Sequence, residues 1–339
     1  MGSVPSKKIS DDEVEPEPRG DRYRRFNVRS TTEDVLKYID LAGKTVLITG
    51  TSSGIGREIA RALASHGAHV VMANRNIPES EKLRDEILST KPDGKVDILP
   101  VDLSSLINVK AAAYEFLSKG WPLHILILNA GVLSPLIKST VDSIETCFAI
   151  NHVAHFYLTQ LLIAKLRESA PSRVVVIASN SHAYTKISPS LSVDEKMQIL
   201  VPTARAKEPK PALFYSYSKL CNVLFAFALH RREHSNGINT YAVHPGTMTG
   251  TGILRHQGAI GKAMNFVAKP WGKTLKQGAA TVVYCAADPE LSNISGRYFE
   301  SCWDDEKYHE VALTRDEALQ DALWQHTEKL LDKFSVHGE

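Results

Sequence analysis

What the chain has little of narrows the reading first. Only four of its 339 residues are cysteine (Cys147, Cys221, Cys285 and Cys302), and none falls in a CxxC or Cys/His metal spacing. A disulfide scaffold and a zinc module are thereby excluded, no metal is expected, and the thiols read as reduced ones of a reducing compartment. Charge of one sign is also scarce. The formal net charge is +2 and no lysine/arginine run exceeds a few residues, so nucleic acid is not an expected partner. The chain has no run of about 18 consecutive apolar residues, the length a spanning helix needs. The N-terminus has no secretory core either, and a soluble cytoplasmic protein is the expectation. No internal repeat occurs, and residues 1–40 contain no tryptophan.

What is present begins with a change of texture. Residues 1–28 carry an acidic, proline-bearing run from Asp11 to Pro18 and a basic cluster at Arg22, Arg24 and Arg25, which reads as a flexible tail. Residues 29–310 read as a single domain and 311–339 as a C-terminal helical extension. From Lys44 onward, short apolar runs predict strands at 44–49, 68–73, 96–101, 124–129, 173–179 and 238–244. Between them, longer patterns predict helices at 55–67, 78–90, 106–118, 141–168 and 214–233, with a last amphipathic helix over 314–334. Strands alternating with helices imply an α/β fold, a Rossmann-type doubly wound parallel sheet with helices on both faces. The apolar runs do not alternate with polar residues, as strands buried on both sides should not.

Between the first strand and first helix stands Thr49-Gly50-Thr51-Ser52-Ser53-Gly54-Ile55-Gly56. Glycines here let the backbone turn sharply and approach a cofactor pyrophosphate at a helix N-terminus. Gly50, Ser52, Ser53, Gly54, Ile55 and Gly56 are therefore candidate cofactor contacts, although a purely structural tight turn would use the same residues. The second strand ends Ala73-Asn74-Arg75, with no carboxylate to bind a ribose 2′-hydroxyl. Arg75, with Asn74 beside it, suits a 2′-phosphate, so NADP(H) is preferred over NAD(H). A solvated surface arginine is the alternative.

Tyr215 and Lys219 are four residues apart, on one face of the predicted helix. A tyrosine titrates near ~10, too high for proton exchange at neutral pH, and a neighbouring ammonium favours the phenolate. The pair by itself is a common coincidence. Its context is not: TGTSSGIG, Asp102-Leu103, Asn129-Ala130-Gly131, Asn151, Ser179, YxxxK and His244-Pro245-Gly246 follow in order. That series resembles the short-chain dehydrogenase/reductase family over residues 40–300. The resemblance implies that Ser179 hydrogen-bonds the substrate oxygen, Tyr215 exchanges its proton, Lys219 binds the nicotinamide ribose and tunes the tyrosine, and Asn151 anchors a relay water. It further implies that Asp102 and Leu103 face the adenine, that Asn129, Ala130 and Gly131 support the central sheet along the cofactor, and that Pro245 and Gly246 frame the carboxamide. Tyr217 lies on another helical face. His182 and His244 would suit a Ser/His hydrolase, but no GxSxG elbow accompanies them, so they read as loop or core histidines.

The strings LHILILNAGV, NHVAHFYLTQLL, SKLCNVLFAFALHRR and QGAATVVYCA are similar to the WW-domain-oxidoreductase and retinol dehydrogenase branch of that family. The paired tryptophans of a WW module are missing, so proline-motif partners are not carried over. The resemblance implies a retinoid, steroid or other lipophilic alcohol/carbonyl substrate, and a homodimer through the helices at 141–168 and 214–233. The link between Ser179 and Tyr215 is long, and residues 182–212 are expected to form a loop that shapes substrate selection. Met1-Gly2-Ser3-Val4-Pro5-Ser6-Lys7-Lys8 matches the N-myristoylation pattern, which would give peripheral membrane contact; a plain tail beginning with glycine is the alternative. Two functions stay open on residues alone: an active oxidoreductase, favoured by the complete Asn151/Ser179/Tyr215/Lys219 set, and a cofactor-binding scaffold with little turnover.

Overall fold

The computed structural model describes residues 24–133, 139–201, 211–246, 272–304 and 309–335. Gly2, most of the expected N-terminal tail, and Pro202 and Pro209 of the 182–212 link lie outside the described residues.

Among the described residues, seven parallel strands form one sheet in the order β3-β2-β1-β4-β5-β6-β7. They are β1 (Thr45–Thr49), β2 (His69–Asn74), β3 (Val96–Pro100), β4 (Ile125–Leu128), β5 (Ser172–Ile177), β6 (Ile238–His244) and β7 (Arg297–Glu300). Successive strand residues point to opposite faces, and the sequence satisfies both. Leu47 of β1 joins one buried cluster, whereas Val46 and Ile48 join the other. The second cluster is closed by α1 (Thr32–Leu36), α2 (Gly54–Ser65), α3 (Ile77–Thr90) and a later helix, Leu275–Ala287. The first is closed by α4 (Leu106–Ser118), a segment running from α5 (Thr146–Phe148) through a π turn (Ala149–Val153) into α6 (Ala154–Glu168), α7 (Val193–Leu200) and α8 (Pro211–Glu233). The C-terminal helix Glu317–Ser335 lies on that side too, with Leu319, Leu323 and Leu331 buried.

The alternation of strands and helices is as the sequence predicts, and the doubly wound sheet follows from it. Several of the described elements were not assigned from sequence, the short helices Thr32–Leu36 and Val311–Thr314 among them. β7 has only four residues and is followed by Ser301 and Cys302, both with positive φ (52° and 57°), so its pattern is too short to read. Leu275–Ala287 opens with a capping box between Thr274 and Gln277. The 182–212 link is not only loop: it contains α7, whose capping box pairs Ser192 with Glu195. An S-x-x-E signature of this kind precedes a helix because it satisfies two orphan amides at once.

Two helical stretches, Thr146–Glu168 and Ala212–Asn236, are long and apolar enough to cross a membrane by length and composition. Their most apolar windows are 72% and 83% buried inside the protein, which accounts for that apolarity as core packing. All four cysteines are buried, and none is in a disulfide.

Candidate active site

The order of the strands reverses between β1 and β4, and ligands of open parallel sheets bind at such a switch point, beyond the carboxyl ends of the strands. The turn leaving β1 is built for close approach. Gly50 has φ +74°, and a Cβ there would stand 2.8 Å from the Ala130 Cα. At Gly56 a Cβ would stand 2.2 Å from the Gly50 carbonyl oxygen and 2.5 Å from Asn129 Nδ2. The loop is stitched down from two sides. Asn129 Nδ2 donates to the carbonyls of Thr49 and Gly50 at 2.9 and 3.0 Å. Asn74, buried, accepts from the Thr51 amide at 2.7 Å and donates to the hydroxyls of Thr51 and Ser80 at 2.6 and 2.8 Å. Asn74 thus holds the loop in place, and its side chain is committed to protein partners.

The residues fit a dinucleotide. Ser53, the N-cap of α2, makes no side-chain cap hydrogen bond, and the first helical turn carries no acidic residue. A 12-residue helix therefore presents its positive end to the cleft. Gly54 has φ +62° with open space where a Cβ would be. Beyond β2, the Arg75 side chain is 75% exposed, its Nη1 3.9 Å from Asp102 Oδ1, and that carboxylate is oriented by the amide and hydroxyl of Ser104 at 2.9 and 2.7 Å.

One cleft of about 440 Å3 connects these groups to Ser179, Tyr215 and Lys219. It is lined by Gly50, Ser52, Ser53, Gly54, Ile55, Gly56, Asn74, Arg75, Asp102, Leu103, Asn129, Ala130, Gly131, Ser179, Tyr215, Lys219, Pro245 and Gly246, which brings together every predicted site residue except Asn151. Asn76, Val101, Val132, Ile150, Ile177 and His244 also line it and were not singled out from sequence as cofactor or substrate contacts. Ile177 and His244 end β5 and β6, Asn76, Val101 and Val132 follow strand ends, and Ile150 lies in the π turn, positions that periodicity does not mark.

Ser179 leaves β5 as the N-cap of a short 3-10 turn, and its hydroxyl accepts from the Ser181 amide at 3.2 Å. Tyr215 and Lys219 share a face of α8, with the ammonium 5.6 Å from the phenol ring centroid. Lys219 Nζ donates to the Ile177 carbonyl at 2.9 Å, tying the helix to the end of β5. Burial pushes the Tyr215 phenol up to about 12, and its hydrogen bond with the Ser179 side chain pulls the other way. Burial also brings the Lys219 ammonium down to about 8. The expectation of a tyrosine lowered by its lysine thus meets a larger opposing effect: removing the phenolate from water costs more than its neighbours return. Tyr217 packs into the core, 6.4 Å from the Phe214 ring.

Asn151 lies behind the cleft, fully buried in the π turn. Its Oδ1 accepts from the Val132 amide at 2.8 Å, and its Nδ2 donates to the Val132 carbonyl at 3.0 Å and the Ser218 hydroxyl at 2.9 Å. Ser218 in turn donates to the Tyr215 carbonyl at 2.8 Å. The Asn151 side chain is committed to protein partners, and what it joins is the wall of the cleft to the helix carrying Tyr215 and Lys219. The Asn151 carbonyl faces His155 Nδ1 at 3.2 Å, while His155 Nε2 meets the Thr49 hydroxyl at 2.9 Å. Thr49 and His155 are 106 positions apart, and no local signal links them.

The hydrolase alternative finds no geometry. His182 directs Nδ1 to the Ser179 carbonyl at 2.6 Å, not to its hydroxyl. The expected dimer helices are also covered on one side within the chain. Trp324 of the C-terminal helix packs 4.7 Å from Phe156 of α6 and 6.0 Å from Phe225 of α8.

Comparison with known proteins agrees with this geometry. Residues 44–190 match the profile of the family described as short chain dehydrogenase. The chain is 38% identical over 323 residues to the WW domain-containing oxidoreductase of Gallus gallus, covering 95% of this chain and 75% of that protein. It is 38% identical over 264 residues to human retinol dehydrogenase 12, covering 78% and 79% respectively. Among solved structures, a dehydrogenase/reductase from Sinorhizobium meliloti superposes with TM-score 0.60 at 25% identity, covering 79% of this chain and 96% of that one.

Proposed function

The chain belongs to the short-chain dehydrogenase/reductase family, and from that premise we propose that it is an NADP(H)-dependent oxidoreductase interconverting an alcohol and a carbonyl. One observation carries the reading. Ser179, Tyr215 and Lys219 open onto the same cleft as the glycine turn and Arg75, so a dinucleotide laid along the turn ends beside a proton donor. When bound, the nicotinamide supplies or accepts the hydride. The protein supplies the rest. In the reducing direction, Ser179 and Tyr215 orient the carbonyl oxygen, and Tyr215 passes its phenolic proton to that oxygen as the hydride arrives at carbon. Lys219 balances the phenolate left behind. The likeness to retinol dehydrogenase 12 favours a lipophilic aldehyde or ketone, retinoid or steroid in kind.

The test is NADPH oxidation with retinaldehyde, steroid ketones and short aldehydes. Turnover on one of them supports the reading. A protein that binds NADPH tightly yet turns over none of them is instead a cofactor-binding scaffold.

Cofactor choice rests on Arg75. Arg75→Glu is expected to weaken NADPH by about ten- to a hundredfold, the worth of a charge-assisted phosphate contact, while leaving NADH little changed. Fluorescence titration of both cofactors measures it, and equal losses for the two would rule out a 2′-phosphate contact. The pH dependence follows from Lys219. An ammonium brought down to about 8 by burial is charged below that pH and neutral above it. Carbonyl reduction that relies on this charge is therefore expected to lose kcat/KM progressively above about pH 8, and Lys219→Arg should move or abolish that limb. The same burial affects stability with a defined sign. Between about 8 and the ordinary 10.5 the unfolded chain binds more protons, so stability rises with pH across that window.

A further inference from the structure

The C-terminal segment reaches two turns that carry the site, and it does so through buried imidazoles. His182 accepts the Glu310 amide on Nε2 at 3.2 Å and meets the Ser179 carbonyl with Nδ1 at 2.6 Å. An imidazole that accepts on one nitrogen and donates on the other has its tautomer fixed by its partners. His152, next to Asn151 in the π turn, meets the Thr327 hydroxyl at 3.1 Å. That hydroxyl already donates to the Leu323 carbonyl at 2.8 Å, so His152 Nε2 is the donor. Burial holds both imidazoles neutral, with His152 brought down to about 3.

The surroundings pack closely around these contacts. His182 lies 5.1 Å from the Tyr298 ring, which stacks on His309 at 4.8 Å. Lys196 of α7 pairs with Asp316 at 2.8 Å, so the segment also fastens the 182–212 link beside the site. None of the described residues 309–335 lines the cleft itself. Displacing a reacting group by about 1 Å can cost on the order of a hundredfold in rate, so elements holding such turns from behind matter to chemistry without touching it.

We propose that residues 309–335 are a positioning clasp for the reaction, holding the Ser179 turn through His182 and Glu310 and the Asn151 turn through His152 and Thr327. The proposal rests on the oxidoreductase reading above for its kinetic consequence, but not for its geometry.

The test uses the full chain and substitutions that keep shape while removing hydrogen bonds: His182→Phe and Thr327→Val, with Thr327→Ser to restore the hydroxyl. Expected are a kcat for aldehyde reduction at least about tenfold lower in the first two, NADPH affinity within about threefold of the parent, and recovery in Thr327→Ser. Hydrogen exchange of the 147–153 and 179–184 amides should accelerate in the same two variants. Unchanged kcat, or a kcat loss that follows weakened NADPH binding, would overturn the proposal. If the parent protein reduces none of the carbonyls, the oxidoreductase reading fails and exchange alone decides. Faster exchange at those two turns keeps the clasp as a structural device, and unchanged exchange removes it.

Discussion

Tyr215→Phe is expected to lower kcat for carbonyl reduction by about 10^2- to 10^4-fold, the usual range for losing a general acid, while NADPH binding stays within a few fold. The ring is retained, and the helix face that positions it remains anchored by Lys219 on the Ile177 carbonyl. What is lost is one hydroxyl, together with its hydrogen bond to the Ser179 side chain. A neutral hydrogen bond of this kind contributes about 1 kcal/mol to stability, so the variant should fold. The phenol held at about 12 is protonated throughout the neutral range, which suits an acid in the reducing direction. In the oxidising direction the same burial works against the phenolate, so the loss of Tyr215 should be felt in both directions but the parent should favour reduction near neutrality. Steady-state kinetics in both directions on parent and variant, with NADPH titration as the control, measure these effects. Activity untouched by the substitution would end the assignment of Tyr215.

Gly56→Ala should weaken both cofactor binding and the fold of the loop. The added methyl would stand 2.2 Å from the Gly50 carbonyl oxygen, which is backbone, and 2.5 Å from Asn129 Nδ2, a side-chain end that two hydrogen bonds hold in place. The loop must shift, breaking the bonds from Asn129 to Thr49 and Gly50. Overpacking of this kind costs about 1–3 kcal/mol in stability. The displaced helix N-terminus should cost at least about tenfold in NADPH affinity, because backbone amides meet the pyrophosphate only at close range. Gly54→Ala is the contrast. Its methyl meets nothing within 4 Å, so the penalty is the positive φ alone, about 1 kcal/mol. Thermal unfolding and NADPH titration of the two variants separate packing from backbone strain. Equal effects would mean that the Gly56 contact does not govern the loop.

The legible part of this protein is the part written in local pattern. Apart from the half-exposed edge strand β3, the strands β1 to β6 are mainly apolar runs without alternation, and their succession with long helices leaves a parallel sheet as the arrangement that buries both faces. The glycine turn, Arg75, Ser179 and the Tyr215/Lys219 pair were legible because each needs a residue type at a fixed offset from an element end. β7 was not, being four residues between Gly296 and two residues of positive φ. The helix Val193–Leu200 could have been read from Ser192 and Glu195, whose capping box is a local signal.

By itself, then, the sequence determined six of the seven strands, the location of the cleft at their carboxyl ends, and most of the residues that open onto it. Only the tertiary structure decided what those residues are committed to. Asn74 and Asn151 spend their side chains on the glycine loop, on Val132 and on Ser218. Burial raises Tyr215 where the charge of Lys219 alone would lower it. The C-terminal helix reaches His152 across 175 positions of chain. Hydrogen-bond partners and desolvation depend on what surrounds a side chain in space, and spacing along the chain does not encode either when the partners lie a hundred residues apart.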